Sequence, residues 1–297
     1  MNNQSKPWAA YACLVSAMVI VGSSVPVGKA VTEIFPVFLA SGFRYAIAVL
    51  ILVPILLKTE GLPKGLTLRD GLILVAQALG GTFVFSVGML YGLRLTTGAE
   101  GGVVSGVLPA MVGLFCVIFL RERMTVYRVG AVTLAVVGLT ALNINGDGGA
   151  ARGVNPLLGD FFILCAIAGE SVFLILGKTL KVQRSPVFVA TAMSVLGMIM
   201  FAPLGIIEAM TYDFALPSIT DWIVMGYYGV FITVIAFFLW FSGVEKVPGT
   251  TAGIFTAVMP VCAVTFSYIF LGETFRSAHA LGCAAVVAAI ILAVRSR

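Results

Sequence analysis

No charged residue interrupts residues 7–28, 71–93, 101–120, 129–146, 185–207, 222–244, 247–272 or 277–294 of the chain. A helix rises 1.5 Å per residue, so about 20 apolar residues carry it across a hydrocarbon layer roughly 30 Å thick. Repeated runs of that length point to a bilayer as the solvent. Two further stretches, 36–57 and 157–177, are equally long but hold ionisable residues: Arg44 in the first, Asp160 and Glu170 in the second. Ten transmembrane helices are therefore expected, and the fold class is an all-α integral membrane protein. Only 10% of the 297 residues are charged, against roughly a quarter in a soluble domain. The first run is too long for the apolar core of a signal peptide and no small-residue cleavage site follows it, so it is expected to stay as a helix.

Short cytoplasmic loops retain Lys and Arg. With the N-terminus inside, thirteen of the 18 basic residues fall in cytoplasmic segments, four (Lys29, Arg94, Arg152 and Arg276) fall on the opposite side, and Arg44 lies within the membrane. A multi-pass protein of the bacterial inner membrane with both termini cytoplasmic is expected. The net charge of +5 reflects this bias, and no basic patch suggests nucleic acid. The cysteines (Cys13, Cys116, Cys165, Cys262 and Cys283) lie in apolar runs without C-x-x-C spacing, which reads as small packing residues rather than metal ligands or disulfides.

The chain also repeats itself. PAMVGLFCVIFLRE at 109–122 and PVCAVTFSYIFLGE at 260–273 agree at six of fourteen positions, 151 residues apart. Gly98-x-x-x-Gly102 and Gly249-x-x-x-Gly253 stand at the same offset, as do Ser105 and Thr256. PVFLAS at 36–41 returns as PVFVAT at 186–191, and GSSV at 22–25 as GESV at 169–172. Two five-helix halves follow, 1–146 and 155–297. Five is odd, so the second half is threaded upside down, the inverted repeat that secondary transporters use for alternating access around a central cavity. Gly-x-x-x-Gly lets two helices approach closely in lipid. Pro109 and Pro260 sit about 20 Å from the boundary residues Glu122 and Glu273, and each removes a backbone hydrogen bond. With Pro26, Gly102 and Gly253 they form the expected hinge set. The alternative is structural kinks without a gating role.

The doubled pattern of a mid-helix proline followed by Leu-x-Glu (Pro109 to Leu120-Arg121-Glu122; Pro260 to Leu271-Gly272-Glu273), with Pro36, Ala40, Arg44 and Ala48 at spacings of four, resembles the EamA repeats of the drug/metabolite transporter superfamily. The resemblance covers essentially the whole chain. It implies a ten-helix exporter of small metabolites, with both termini cytoplasmic and a central cavity. Within the superfamily the chain is most similar to the bacterial aromatic amino-acid exporters.

Glu170 is the acidic group expected near the midplane, and its repeat counterpart is Ser23. A carboxylate there is costly and faces protein or water, pairs with a partner, or takes up a proton. It reads as an anchor for a substrate ammonium or as a coupling-proton site, with a carboxyl bonded to a helix carbonyl as the alternative. The third and eighth helices match Thr82 with Thr233, Ser86 with Phe237 and Met89 with Trp240. Groups four apart share a helix face. The expected lining is Ser24, Thr82, Ser86, Tyr91, Ser105, Glu170, Ser171, Thr233, Phe237, Trp240 and Thr256, although any one aromatic also suits lipid. Arg44 is expected to hold neighbouring helix ends, and His279 to lie at the membrane boundary. One histidine, no H-e-x-x-H pattern and no clustered carboxylates leave little for an enzyme. A channel lacks a filter or charged ring, and no ATP-binding glycine loop occurs. No cofactor, metal or nucleic acid is expected, and a monomer in lipid is. Substrate charge argues for zwitterions or neutral solutes, hence amino acids, with other neutral or cationic drug-like metabolites as the alternative.

Overall fold

A computed structural model of the chain describes residues 7–61, 65–120, 153–177, 185–244, 255 and 258–273, with scattered residues of 126–134, 246–247 and 280–288. Among these every regular element is helical. They are α1 (Pro7–Ile34), α2 (Val37–Thr59), α3 (Leu68–Gln77), α4 (Phe85–Leu95), α5 (Gly98–Ser105), α6 (Leu108–Leu120), α7 (Pro156–Gly177), α8 (Pro186–Thr211), α9 (Ile219–Tyr227), α10 (Ala236–Val244) and α11 (Val258–Leu271). Two π-helical segments, Ala78–Val84 and Tyr228–Ile235, join α3 to α4 and α9 to α10. Among the described residues six continuous helices are long and apolar enough to cross a membrane: Trp8–Ile34, Val37–Thr59, Leu68–Leu95, Pro156–Leu176, Pro186–Thr211 and Ile219–Val244. The helices expected over 129–146 and 277–294 lie outside the described residues, as do Glu122, Gly253, Thr256 and His279.

Local chemistry explains where these helices begin. Thr67 and Asp70 form a capping box at the start of α3, and Ser218 and Asp221 form one at the start of α9. In each, the hydroxyl accepts from the backbone N–H three residues on while the carboxylate accepts from the cap N–H, satisfying two otherwise unmatched donors. The two boxes are 151 residues apart, the interval of the sequence repeat. The proline expectations divide. α1 passes through Pro26 without a break. The fourth span is interrupted at Gly106–Val107, between α5 and α6, so Pro109 falls at the second residue of a fresh helix. A proline in the first turn withholds a donor that has no helical partner in any case. Pro260 is buried at the third residue of α11.

Close backbone approach holds the centre together. Along one face, Gly80 meets Gly169, Gly88 meets Phe162 and Ala166, and Gly92 meets Gly159 and Ile163. A β-carbon on Gly169 would stand 2.5 Å from the Gly80 carbonyl oxygen. Where lipid tails are as apolar as leucine, close packing of small residues is what associates helices. The Gly98 and Gly102 pair packs on α11: a β-carbon on Gly102 would lie 3.0 Å from Ala263 Cβ, and one on Gly98 would lie 2.6 Å from Ser267 Oγ.

Contacts between helix termini also fix direction. Arg94, at the end of α4, donates to Phe35 O beyond the end of α1, and Asn155 N, just before α7, donates to Leu95 O. α1 therefore finishes at the end of the bundle where α7 starts. At the opposite end Glu60, after α2, accepts from Ser185 Oγ at the start of α8.

Gly169→Ala should lower the thermal unfolding midpoint of the purified protein, because the new methyl meets backbone that cannot swing aside; overpacking of this kind costs about 1–3 kcal/mol. Gly42→Ala in α2, where a β-carbon meets nothing within 4 Å, should leave the midpoint level or raise it. Equal behaviour of the two variants would remove the seam from the account of stability.

Candidate functional site

Three helical spans converge on one buried cation. Arg44 on α2 is 7% exposed. Its guanidinium lies over the Tyr45 ring at 4.5 Å from the centroid and over the Tyr228 ring at 4.8 Å. Nη2 donates to Ser86 Oγ at 2.9 Å and to the Tyr45 hydroxyl, while Nε has no partner. This differs from the expectation that Arg44 holds helix ends. The side chain turns inward because two aromatic faces and two hydroxyls receive the guanidinium where a snorkelling path would offer only lipid and headgroups. Ser86 lies two residues beyond the first π segment and Tyr228 opens the second. Beside the cluster stands an aromatic wall: Tyr45 stacks on Phe201 at 5.6 Å, and Phe201 meets Phe83 at 4.9 Å.

Glu170 lies fourteen residues past Pro156 and seven before Gly177, in the second half of α7 rather than at its centre. The helix starts at Pro156 itself, and that is what moves Glu170 along it. The side chain is half-buried, and among the described residues no hydrogen bond or ion pair reaches its carboxylate. Its neighbour Gly169 is pressed on Gly80, so the acid is held beside the glycine seam.

The remaining candidates separate by what their polar atoms do. Ser105 Oγ donates to Gly101 O at 2.7 Å, Ser171 Oγ to Ile167 O at 2.7 Å, and Thr233 Oγ1 to Tyr228 O at 3.1 Å. Each donor is thus engaged by its own helix. Thr82 is buried, and a β-carbon on Gly197 would come within 2.7 Å of its methyl. Ser24 is half-buried on α1, while its neighbour Ser23 bonds to the Tyr227 hydroxyl at 2.8 Å. Tyr91 is half-buried against Phe38 and Phe162. Phe237 meets Phe241 at 6.0 Å, and Trp240 packs near Met18 and Met259. Ser86 is brought to Arg44; Glu170 stands by itself on α7.

The model of the EamA-like transporter family matches residues 8–144 and again 157–295. The chain belongs to that family. It is therefore a multi-pass membrane transporter and not an enzyme, binding a small-molecule substrate and surrounded by lipid. The chain is 40% identical over 289 residues to the uncharacterized transporter YetK of Bacillus subtilis (strain 168), covering 97% of this chain and 88% of that protein. It is 25% identical to the WAT1-related protein At3g02690, chloroplastic, of Arabidopsis thaliana, covering 94% of this chain and 68% of that one. A crystal structure superposes with a TM-score of 0.64 at 18% identity, covering 95% of this chain and 96% of that chain; at that identity the likeness concerns the fold.

Sequence reasoning did not foresee how this EamA-family transporter finishes its helices. Glu273, the last residue of the repeated Leu-x-Glu pattern, accepts from Gly98 N at 2.6 Å and Ala99 N at 2.8 Å. Glu208 near the end of α8 accepts from Leu39 N at 2.8 Å. Carboxylates are favoured at helix N-termini by the unmatched N–H groups and the dipole. Cations hold the opposite ends: Lys29 Nζ donates to Leu93 O and Thr96 O at 2.6 and 2.9 Å, and Arg94 donates to Thr32 O and Phe35 O at 3.1 and 3.0 Å. The buried Glu100, which accepts from Thr96 Oγ1, was likewise passed over; Thr97-x-x-Glu100 is the readable signal, a hydroxyl three residues before an acid at a helix start.

Glu273→Ala leaves two N–H groups of α5 without their acceptor. Hydrogen bonds to a charged group contribute about 1.5–3 kcal/mol each, so the variant should unfold at a clearly lower temperature, with Glu273→Gln between it and the unchanged protein. An unaltered midpoint in the alanine variant would show that the cap contributes nothing to stability.

Proposed function

We propose that this transporter exports small metabolites, amino acids with aromatic or large neutral side chains, across the bacterial plasma membrane by alternating access, with Glu170 anchoring the substrate ammonium. The observation that carries the reading is the carboxylate of Glu170, half-buried in a membrane span and without a partner among the described residues, while the hydroxyls of Ser105, Ser171 and Thr233 are engaged by their own helices. An ionisable group inside a membrane span marks a functional site by default, and a cationic substrate group is the partner this one lacks. The membrane assignment accords with the apolar spans and with the bacterial transporters among the relatives.

The inverted-repeat reading, with ten helices and both termini cytoplasmic, is supported by three observations. α1 and α7 run in opposite directions. The capping boxes of α3 and α9 are separated by the repeat interval. The two π segments also begin 150 residues apart. The break at Gly106–Val107 supports a hinge in the fourth span, with Gly102 and Pro109 flanking it in sequence and Pro260, Gly253 and Pro26 completing the set. Cysteines introduced at residues 122 and 273 should label from opposite faces of intact cells with an impermeant reagent. Labelling of both from one face would defeat the inverted threading.

Glu170→Gln keeps the shape and removes the charge. In proteoliposomes it should weaken amino-acid transport by about 1.5–3 kcal/mol, the worth of a charge-assisted bond, while sparing neutral solutes. If Glu170 carries the coupling proton instead, the variant loses gradient-driven accumulation and keeps substrate exchange. Unchanged uptake, exchange and pH dependence would reduce Glu170 to a structural carboxyl.

A further inference from the structure

Arg44 presents a buried guanidinium whose hydrogen-bonded acceptors are neutral hydroxyls, and among the described residues no carboxylate pairs with it. An unpaired charge withdrawn from water is costly. Stacking on Tyr45 and Tyr228 offsets part of that cost and leaves the net charge in place. The same two rings confine the guanidinium. An arginine held flat is a fork that matches a carboxylate with two parallel bonds, and here Nε still has an unused donor. The Ser86 and Tyr45 hydroxyls on Nη2 are ligands that an anion displaces at little loss, because a carboxylate is the stronger acceptor.

Two further observations point to an occupant. Ser86 and Tyr228 adjoin the two π segments, and π-bulges occur frequently at functional sites. Phe83, Phe201 and Phe38 continue the wall that Tyr45 begins, which suits an apolar or aromatic body attached to the charged group. The other cations near this end of the bundle, Lys29 and Arg94, are engaged by backbone carbonyls. Among the described residues at this end, Arg44 is thus the cation without a carbonyl or carboxylate partner, which suits one negative charge.

We propose that Arg44, flanked by Tyr45 and Tyr228, is a carboxylate-binding site, so that the substrate carries a monoanionic carboxylate on an aromatic or apolar body. This deepens the reading of the chain as a metabolite transporter and rests on it, but is independent of Glu170: the carboxylate is bound at Arg44 whether or not an ammonium is bound elsewhere.

The test uses three probes that share a phenyl ring, namely L-phenylalanine, 3-phenylpropanoate and 2-phenylethylamine, with binding to the purified full-length protein read by thermal shift and by competition in proteoliposomes. The unchanged protein should bind 3-phenylpropanoate. Arg44→Lys keeps the charge and loses the flat fork; it should weaken 3-phenylpropanoate and L-phenylalanine about tenfold, the worth of one charge-assisted bond, and leave 2-phenylethylamine unchanged. Tyr228→Leu removes one face of the sandwich and should weaken the same two probes severalfold, which keeps the test open if Arg44→Lys does not fold. Glu170→Gln should spare 3-phenylpropanoate, so failure of the ammonium reading and failure of this one are separately visible. Absence of 3-phenylpropanoate binding to the unchanged protein would overturn the carboxylate site. So would an equal loss of all three probes in the Arg44 and Tyr228 variants.

Discussion

A helix end leaves up to four N–H or C=O groups without intrahelical partners, and hydrocarbon supplies none. The architecture follows from how this chain answers that demand. Glu273 serves the start of α5, Glu208 the start of α2, Lys29 the end of α4 and Arg94 the end of α1. In every case the side chain belongs to a different helix from the backbone it serves. Charges that would be a liability in an apolar chain thereby become the joints of the bundle, and the sign of each matches the dipole it meets.

Between the joints, the helices are drawn together by the absence of side chains. The Gly80 and Gly169 contact brings two backbones close enough that any β-carbon would collide. That seam sets α7 against the third span, fixes where Glu170 stands, and leaves the opposite side of the same span to hold Ser86 near Arg44. The acidic group and the basic group are thus carried by different helix pairs.

Much of this was legible in the residues. Length and lack of charge gave the spans, because only those two properties decide whether a helix crosses a bilayer. The Gly98 and Gly102 spacing announced a close contact, since residues four apart share one helical face. Glu170 stood out as an acid in an apolar run. What remained hidden was hidden for physical reasons. Tyr45 and Tyr228 are 183 residues apart, and nothing in either neighbourhood marks them as two plates around one guanidinium. The partners of Glu273 are backbone amides, which every residue but proline possesses and which leave no trace in a sequence. The π segments share no readable run: Gly, Thr, Phe and Val occur in both, but at the repeat interval only Thr82 and Thr233 coincide.

Those two segments have a kinematic consequence. A π turn stores one residue more than an α turn while still pairing its amides. Passing that surplus along the helix rotates the side chains it crosses by about 100° and shifts them by about 1.5 Å along the axis. Both ends of the span remain clamped meanwhile. The third and eighth spans are in this sense screws with movable slack, and the π segment ends two residues before Ser86 in one and starts at Tyr228 in the other. The groups that grip Arg44 are consequently the ones whose heading this fold can change without unpacking a single glycine contact at the helix termini.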